Sequence, residues 1–122
     1  MIITEKLKRI EKPWGYEEIW AETKDYVGKI LTISAGKRLS LQYHNEKEET
    51  VYVLQGALRV WESKDENDFV DIPPGGVYHV KPGQIHRFGA IPLYPRHADT
   101  KIVEVSTNYL DDVIRLSDDF NR

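Results

Sequence analysis

Short apolar runs, rarely longer than one strand and divided by polar turns, set the pattern of this chain. Val27 to Ser34 (VGKILTIS) places Ile30, Thr32 and Ser34 on one side and Leu31 and Ile33 on the other. A period of two is the mark of a half-buried β-strand. Leu39 to His44, Thr50 to Gln55, Ala57 to Glu62, Phe69 to Ile72, Val77 to Val80 and Lys101 to Ser106 also read as strands. Several of these are rich in the β-branched and aromatic residues that suit a pleated surface. Tyr16 to Trp20 alternates more weakly and reads as a further strand. Turn signals lie between these runs: Lys12-Pro13-Trp14-Gly15, Ala35-Gly36-Lys37, the polar tip Ser63 to Asp68, Pro73-Pro74-Gly75-Gly76 and Pro82-Gly83.

Residues 1–12 form a charged lead-in suited to an arm or an edge strand. Ala90 to Thr100, with Pro92 and Pro95, is a candidate functional loop. The tail from Leu110 to Arg122 supports two readings. Leu110, Val113, Ile114 and Phe120 could line a helix, or Val113 to Leu116 could form a last strand. Many short strands, closely spaced turns and almost no helical period predict an all-β fold, an antiparallel sandwich or barrel. At 122 residues the jelly-roll β-barrel is the natural form, as a single domain over 1–122.

Composition narrows the function. The net charge is -3 and no basic stripe dominates, so nucleic-acid binding has no electrostatic support. No apolar run approaches the ~18 residues that cross a bilayer. The start, MIITEKLKRIEKPWG, lacks a secretory apolar region, so a cytoplasmic protein is expected. The absence of cysteine removes disulfides, thiolate metal ligands and a cysteine nucleophile together.

The chemistry concentrates between Gly36 and Gly56. Gln42 and His44 are two residues apart, which on a strand puts both on one face, with Ser40 beside them. Glu49 returns after the polar turn Asn45 to Lys47. With Val51 and Val53 taken as core, alternation turns Glu49 inward and Glu48 outward. His86, in PGQIHRF, is the best fourth ligand. Two nitrogens and two oxygens with room for a water suit one divalent first-row metal. Zinc leads, and manganese, iron, cobalt or nickel is admitted; a dry polar network is the competing reading.

Other residues follow from their position. Arg87, next to His86, is expected near the pocket mouth in contact with substrate. Arg38, which shares strand parity with Ser40 and Gln42, is expected to contact substrate, as are Ser40 and, from the Pro-rich loop, Arg96. Of Tyr78 and His79, alternation sends one inward. Leu39, Leu41 and Tyr43 would form an apolar outer face that needs a partner, which predicts a homodimer. The cluster Asp111, Asp112, Asp118 and Asp119 reads as a solvated tail.

Gly36, Gln42, His44, Glu49 and Gly56 together resemble the first cupin motif, and Gly76 to His86, with Pro82-Gly83, resembles the second. LSLQYH carries glutamine where common cupins have histidine, and in this it is similar to phosphomannose isomerase, whose metal set is Gln, His, Glu, His. KPWGY, His86-Arg87 and the ending IVEVST-x-x-LDDVIRLSDDFNR resemble the isomerase domain of the type II branch, often fused behind a sugar-nucleotide pyrophosphorylase.

The resemblance implies a metal on Gln42, His44, Glu49 and His86. It further implies a metal-dependent aldose–ketose isomerase that converts mannose 6-phosphate to fructose 6-phosphate through an enediol. Arg87 and Lys47 would contact the phosphate, and His79 or a metal-bound hydroxide would act as base. Departures from the family pattern are Lys47 in place of arginine, Asn45, Glu46 and Thr50 in place of histidines, Phe88-Gly89-Ala90 after His86-Arg87, and Phe120-Asn121-Arg122 in place of Tyr-Gly-Arg. Lysine keeps the charge of arginine and loses its planar two-pronged donor. A non-catalytic cupin that binds a sugar or sugar nucleotide is the rival reading, and a small dioxygenase is a third.

Overall fold

Alternation along the chain becomes two facing sheets. The computed structural model describes residues 6–92 and 98–122. Among these residues the chain forms eleven strands: β1 (Lys8–Lys12), β2 (Gly15–Glu22), β3 (Tyr26–Ile33), β4 (Leu41–Tyr43), β5 (Glu49–Gln55), β6 (Leu58–Trp61), β7 (Phe69–Ile72), β8 (Val77–Val80), β9 (Arg87–Ala90), β10 (Thr100–Thr107) and β11 (Ile114–Ser117). The first sheet has the order β1-β2-β3-β10-β5-β8, all antiparallel. The second layer consists of β11-β4 and β7-β6-β9. Bridges between Gln42 and His86 and between Arg38 and Gly89 join these two pieces side by side. The architecture is the antiparallel jelly roll of the cupins. No helix among the described residues is long and apolar enough to cross a membrane.

The core fills the space between the layers. Leu31, Ile33, Val51, Val53 and Ile102 enter it from the first sheet, and Leu58, Val60, Phe88 and Ala90 from the second. Burying one such Val, Leu, Ile or Phe side chain contributes about 1.5–3 kcal/mol. Trp14, from the KPWGY turn, joins this core, whereas Trp20 stays exposed. Gly56 closes β5 at φ +79°, and a Cβ there would meet Thr100 Oγ1 at 2.7 Å. That turn fixes where β5 stops and β6 begins.

The structure differs from the sequence reading at three places. β9 is a strand at Arg87–Ala90, a stretch that the sequence reading assigned to no element. The tail forms a strand, β11, paired with β4, and so takes the second of its two readings. The third difference is the run 38–42. Four positions separate Arg38 from Gln42, while only three separate their partners Gly89 and His86. The extra residue acts as a bulge and inverts strand parity between the two bridges. Leu39 therefore enters the core, and Leu41 is covered, with β11 alongside it. The apolar outer face of Leu39, Leu41 and Tyr43 expected to seat a second copy does not form, since Leu39 and Leu41 are both covered within the chain.

Candidate metal centre

The four expected ligands come from both sheets. Gln42 lies on β4, His44 just beyond it, Glu49 opens β5, and His86 immediately precedes β9. Gln42 and His86 are bridged through both backbones, N–H to O at 3.0 and 2.9 Å, so their side chains leave the same face. His44, Glu49 and His86 are buried, and their nearest ligand atoms all lie within 4.8 Å of one another. Glu49 Oε1 is 3.3 Å from His86 Nε2 and 3.8 Å from His44 Nε2. Gln42 lines the same cavity as His44 and Glu49. Ser40 donates to Gln42 Oε1 at 2.7 Å, which holds the amide oxygen in place and leaves its second lone pair free.

The imidazoles are prepared for a cation. His44 Nδ1 faces the Asp112 carbonyl at 2.5 Å, and His86 Nδ1 faces the Gln84 carbonyl at 3.0 Å. A carbonyl only accepts, so each Nδ1 carries the proton and each Nε2 is left with its lone pair. Both Nε2 atoms are buried without a hydrogen-bond partner. Such orphaned acceptors are costly in a dry interior, and a divalent metal would satisfy both. Backbone carbonyls that orient ligating histidines are the usual outer support of a metal site. The residues present fit the group, and the donor chemistry leaves the identity of the metal open.

A row of buried charges runs from this cluster across the inner face of the first sheet. Lys47 Nζ lies 3.0 Å from Glu49 Oε2 and 3.2 Å from Glu104 Oε2. Lys29, paired across the strands with Glu104, contacts Glu17 at 3.4 Å. Burial alone would raise the Glu49 carboxyl. The Lys47 charge, together with His44 and His86 whenever they carry a proton on Nε2, outweighs burial and holds it well below the usual carboxylate range. Glu104 goes the other way: burial, and then the Glu49 charge, push it up to about 7 despite Lys47 and Lys29. Its Oε2 is close enough to Lys47 for charge attraction but poorly aligned for a hydrogen bond, and it has no partner. Burial disfavours the Lys47 ammonium, yet the carboxylates of Glu104 and Glu49 more than offset this and raise it.

Asp112 is one of the residues at the site that the sequence reading missed. Its carboxylate accepts from the backbone N–H groups of Asn45, Glu46 and Lys47 at 3.0, 2.7 and 3.0 Å. The loop that delivers His44 and Lys47 is therefore tied to the tail. A hint was present in the sequence: three consecutive polar residues in a turn leave backbone donors that need an acceptor.

Other expected site residues are placed differently. Arg87 is buried and points away from His86, as its neighbour on a strand must. It donates to the carbonyls of Leu39 at 2.9 Å and Ser117 at 3.1 Å, pinning the tail to the second layer. Arg38 lies outside the cavity because of the bulge. Its guanidinium binds Asp119 and Glu66 and sits over Trp61. His79 pairs with Thr50 on β5, one residue out of step with Glu49 and Val80, so it faces away from the cluster. It contacts Thr50 Oγ1 and Glu48 Oε2, both at 2.8 Å, on the outer surface. Arg87 and Arg38 were expected to contact substrate and His79 to serve as a base; the structure places all three outside the cavity that holds the proposed ligands. Arg96 and His97 lie outside the described residues. A wider cleft lined by Lys6, Trp20, Glu22 and Asn108 runs beside β1 and β2 and contains no histidine.

Comparison with known proteins bears on the family and the fold. The family model described as mannose-6-phosphate isomerase C-terminal matches residues 3–118. A mannose-1-phosphate guanylyltransferase from Escherichia coli is 32% identical over 124 residues, covering 94% of this chain and 23% of that protein. The mannose-1-phosphate guanylyltransferase RfbM from Salmonella typhimurium is 28% identical over 117 residues, covering 89% of this chain and 22% of that one. The chain thus spans under a quarter of the length of these curated relatives. An RmlC-like cupin from Desulfovibrio desulfuricans superposes with a TM-score of 0.61 at 23% identity, covering 75% of this chain and 79% of the other.

Proposed function

Because the chain belongs to the mannose-6-phosphate isomerase C-terminal family, we propose that it is a metal-dependent aldose–ketose isomerase of sugar phosphates, acting on mannose 6-phosphate. The observation that carries this reading is the convergence of two unpartnered imidazole Nε2 atoms and the Glu49 carboxylate in one buried cavity. His44, Glu49 and His86, with Gln42, would hold the cation. When bound, a divalent metal supplies Lewis-acid polarisation to nearby sugar oxygens.

The chain's own residues supply the rest. Isomerisation moves one proton from C2 to C1 and a second between O1 and O2, through an enediol. Glu104 lines the same cavity beside Lys47 and is buried, and burial raises its carboxyl above the ordinary range. It takes the C2 proton as a general base and returns it at C1 as a general acid. Lys47, charged between Glu104 and Glu49, stabilises the carboxylates and the negative charge that develops on the sugar oxygens.

The test is metal analysis of the purified chain, then a coupled assay on mannose 6-phosphate with the bound metal restored. Stoichiometric metal with turnover supports the reading. Stoichiometric metal without isomerisation of any hexose or pentose phosphate overturns it in favour of a sugar-binding cupin.

A further inference from the structure

The cavity that contains the metal ligands is also lined by Lys12, Lys29, Lys47, Arg115 and Arg122, against the carboxylates Glu17, Glu49, Glu104 and Asp112. Most of these charges are already matched. Lys29 is paired with Glu17, Lys47 with Glu49 and Glu104, and Arg122 with Asp118. The Asp112 carboxylate is spent on three backbone N–H groups. Lys12 and Arg115 remain. Neither has an acidic partner within ion-pair distance among the described residues, and both line the cavity.

We propose that Lys12 and Arg115 form an anion subsite at the cavity mouth that takes the phosphate monoester of the substrate. Their origin supports this. Lys12 comes from the KPWGY turn and Arg115 from the LDDVIRL tail, two stretches distant in sequence that both line this cavity. Lys12 is half-buried at the end of β1 and Arg115 is exposed on β11, so both can reach a ligand that is still partly in water.

Position relative to the metal ligands favours a bifunctional substrate. Arg115 is directly opposite Gln42 in the β11–β4 pair. Residues so paired lie about 5 Å apart and share a face. A small ligand gripped by Arg115 at one end can place its other end at Gln42, His44 and Glu49. A phosphate monoester carries close to two negative charges and offers several acceptor oxygens. The planar fork of arginine matches two of them, and lysine adds a point charge. Binding energy collected there would orient the reacting carbons without touching them.

The substrate's identity rests on the isomerase reading; the anion subsite itself does not. Lys12→Met and Arg115→Gln, singly and together, remove charge while keeping side-chain bulk. Lys37→Met serves as a control, since Lys37 is exposed and does not line the cavity. Binding of inorganic phosphate to the metal-loaded chain is measured by calorimetry, with metal content and circular dichroism checked for every variant. Loss of one charge-assisted contact weakens binding about 10- to 100-fold, and the double variant more. Lys37→Met leaves it unchanged. On mannose 6-phosphate the single variants raise KM over the same range, while turnover of unphosphorylated mannose is unaffected.

Phosphate binding that is equal in the double variant and the parent protein, with fold and metal retained, overturns the subsite. Isomerase activity with an unchanged KM in that variant does the same while leaving the isomerase reading intact. Phosphate binding that depends on both residues, in a chain that isomerises no sugar phosphate, upholds the subsite and removes the isomerase reading.

Discussion

His44 and Asp112 are joined through two different groups of the aspartate. The Asp112 carbonyl accepts from His44 Nδ1, and its carboxylate accepts from the loop that begins one residue after His44. One residue thus fixes both the tautomer of a proposed ligand and the backbone that carries it. These N–H bonds, from Asn45 first, hold the Asp112 carboxyl below its ordinary range. The stabilisation is complete above that ordinary range and is lost as pH falls through the depressed folded value. Asp112→Ala keeps the carbonyl but frees the loop. Metal affinity, measured by chelator competition at neutral pH, should fall about 10- to 100-fold, as for loss of other outer supports. Unchanged affinity would show that the loop holds its position without the tail.

Glu49→Gln and His86→Ala test the centre itself. Each removes one of three convergent donors, and in the first the volume is kept. Both variants should fold and purify with strongly substoichiometric metal, because affinity depends on ligand charge and number. Elemental analysis after dialysis distinguishes this from a dry polar network, in which metal content would be negligible in the parent chain as well.

The Glu104 proton predicts an unusual dependence of stability on pH in the metal-free protein. Between its ordinary 4.5 and the folded value of about 7, the unfolded chain has released this proton while the folded chain keeps it. Stability should therefore fall as pH rises through that window, by about 3 kcal/mol in all. Glu104→Gln should flatten the profile and abolish turnover with metal content retained. Urea unfolding at pH 5 and pH 8 measures the difference. A parent chain that is equally stable at both values, relative to the variant, would contradict the placement of the proton.

Arg87→Met separates a structural role from substrate contact. The guanidinium is buried and spends its donors on two backbone carbonyls. Losing hydrogen bonds to a charged group costs about 1.5–3 kcal/mol each, less whatever water recovers at the tail. The variant should lose about 2–3 kcal/mol in denaturant unfolding with KM for the sugar phosphate unchanged. A raised KM at full stability would restore the substrate role that its place beside His86 suggested.

The ligand set was legible because it depends on local rules. Glu49 turned inward and Glu48 outward by alternation from Val51 and Val53, and the structure buries Glu49 and leaves Glu48 half-exposed. The strands Phe69–Ile72 and Val77–Val80 were readable for the same reason. Failure came where one residue broke the count. Arg38 and Gln42 have equal parity in the sequence, but the bulge between them lies in how two strands meet and leaves no mark in either alone. Lys12, Arg115, Glu104 and Asp112 were unreadable as site residues for a related reason: the partners that give each its meaning lie far away in the chain. Asp112 and its loop are 65 to 67 residues apart.

Glu49 belongs to one sheet, while Gln42, His44 and His86 belong to the other layer. A cation held by all four would act as a rivet between the halves of the barrel. Chelation would then do more than disarm the site. It would unfasten a seam, and the metal-loaded chain should outlast the stripped one under heat and protease.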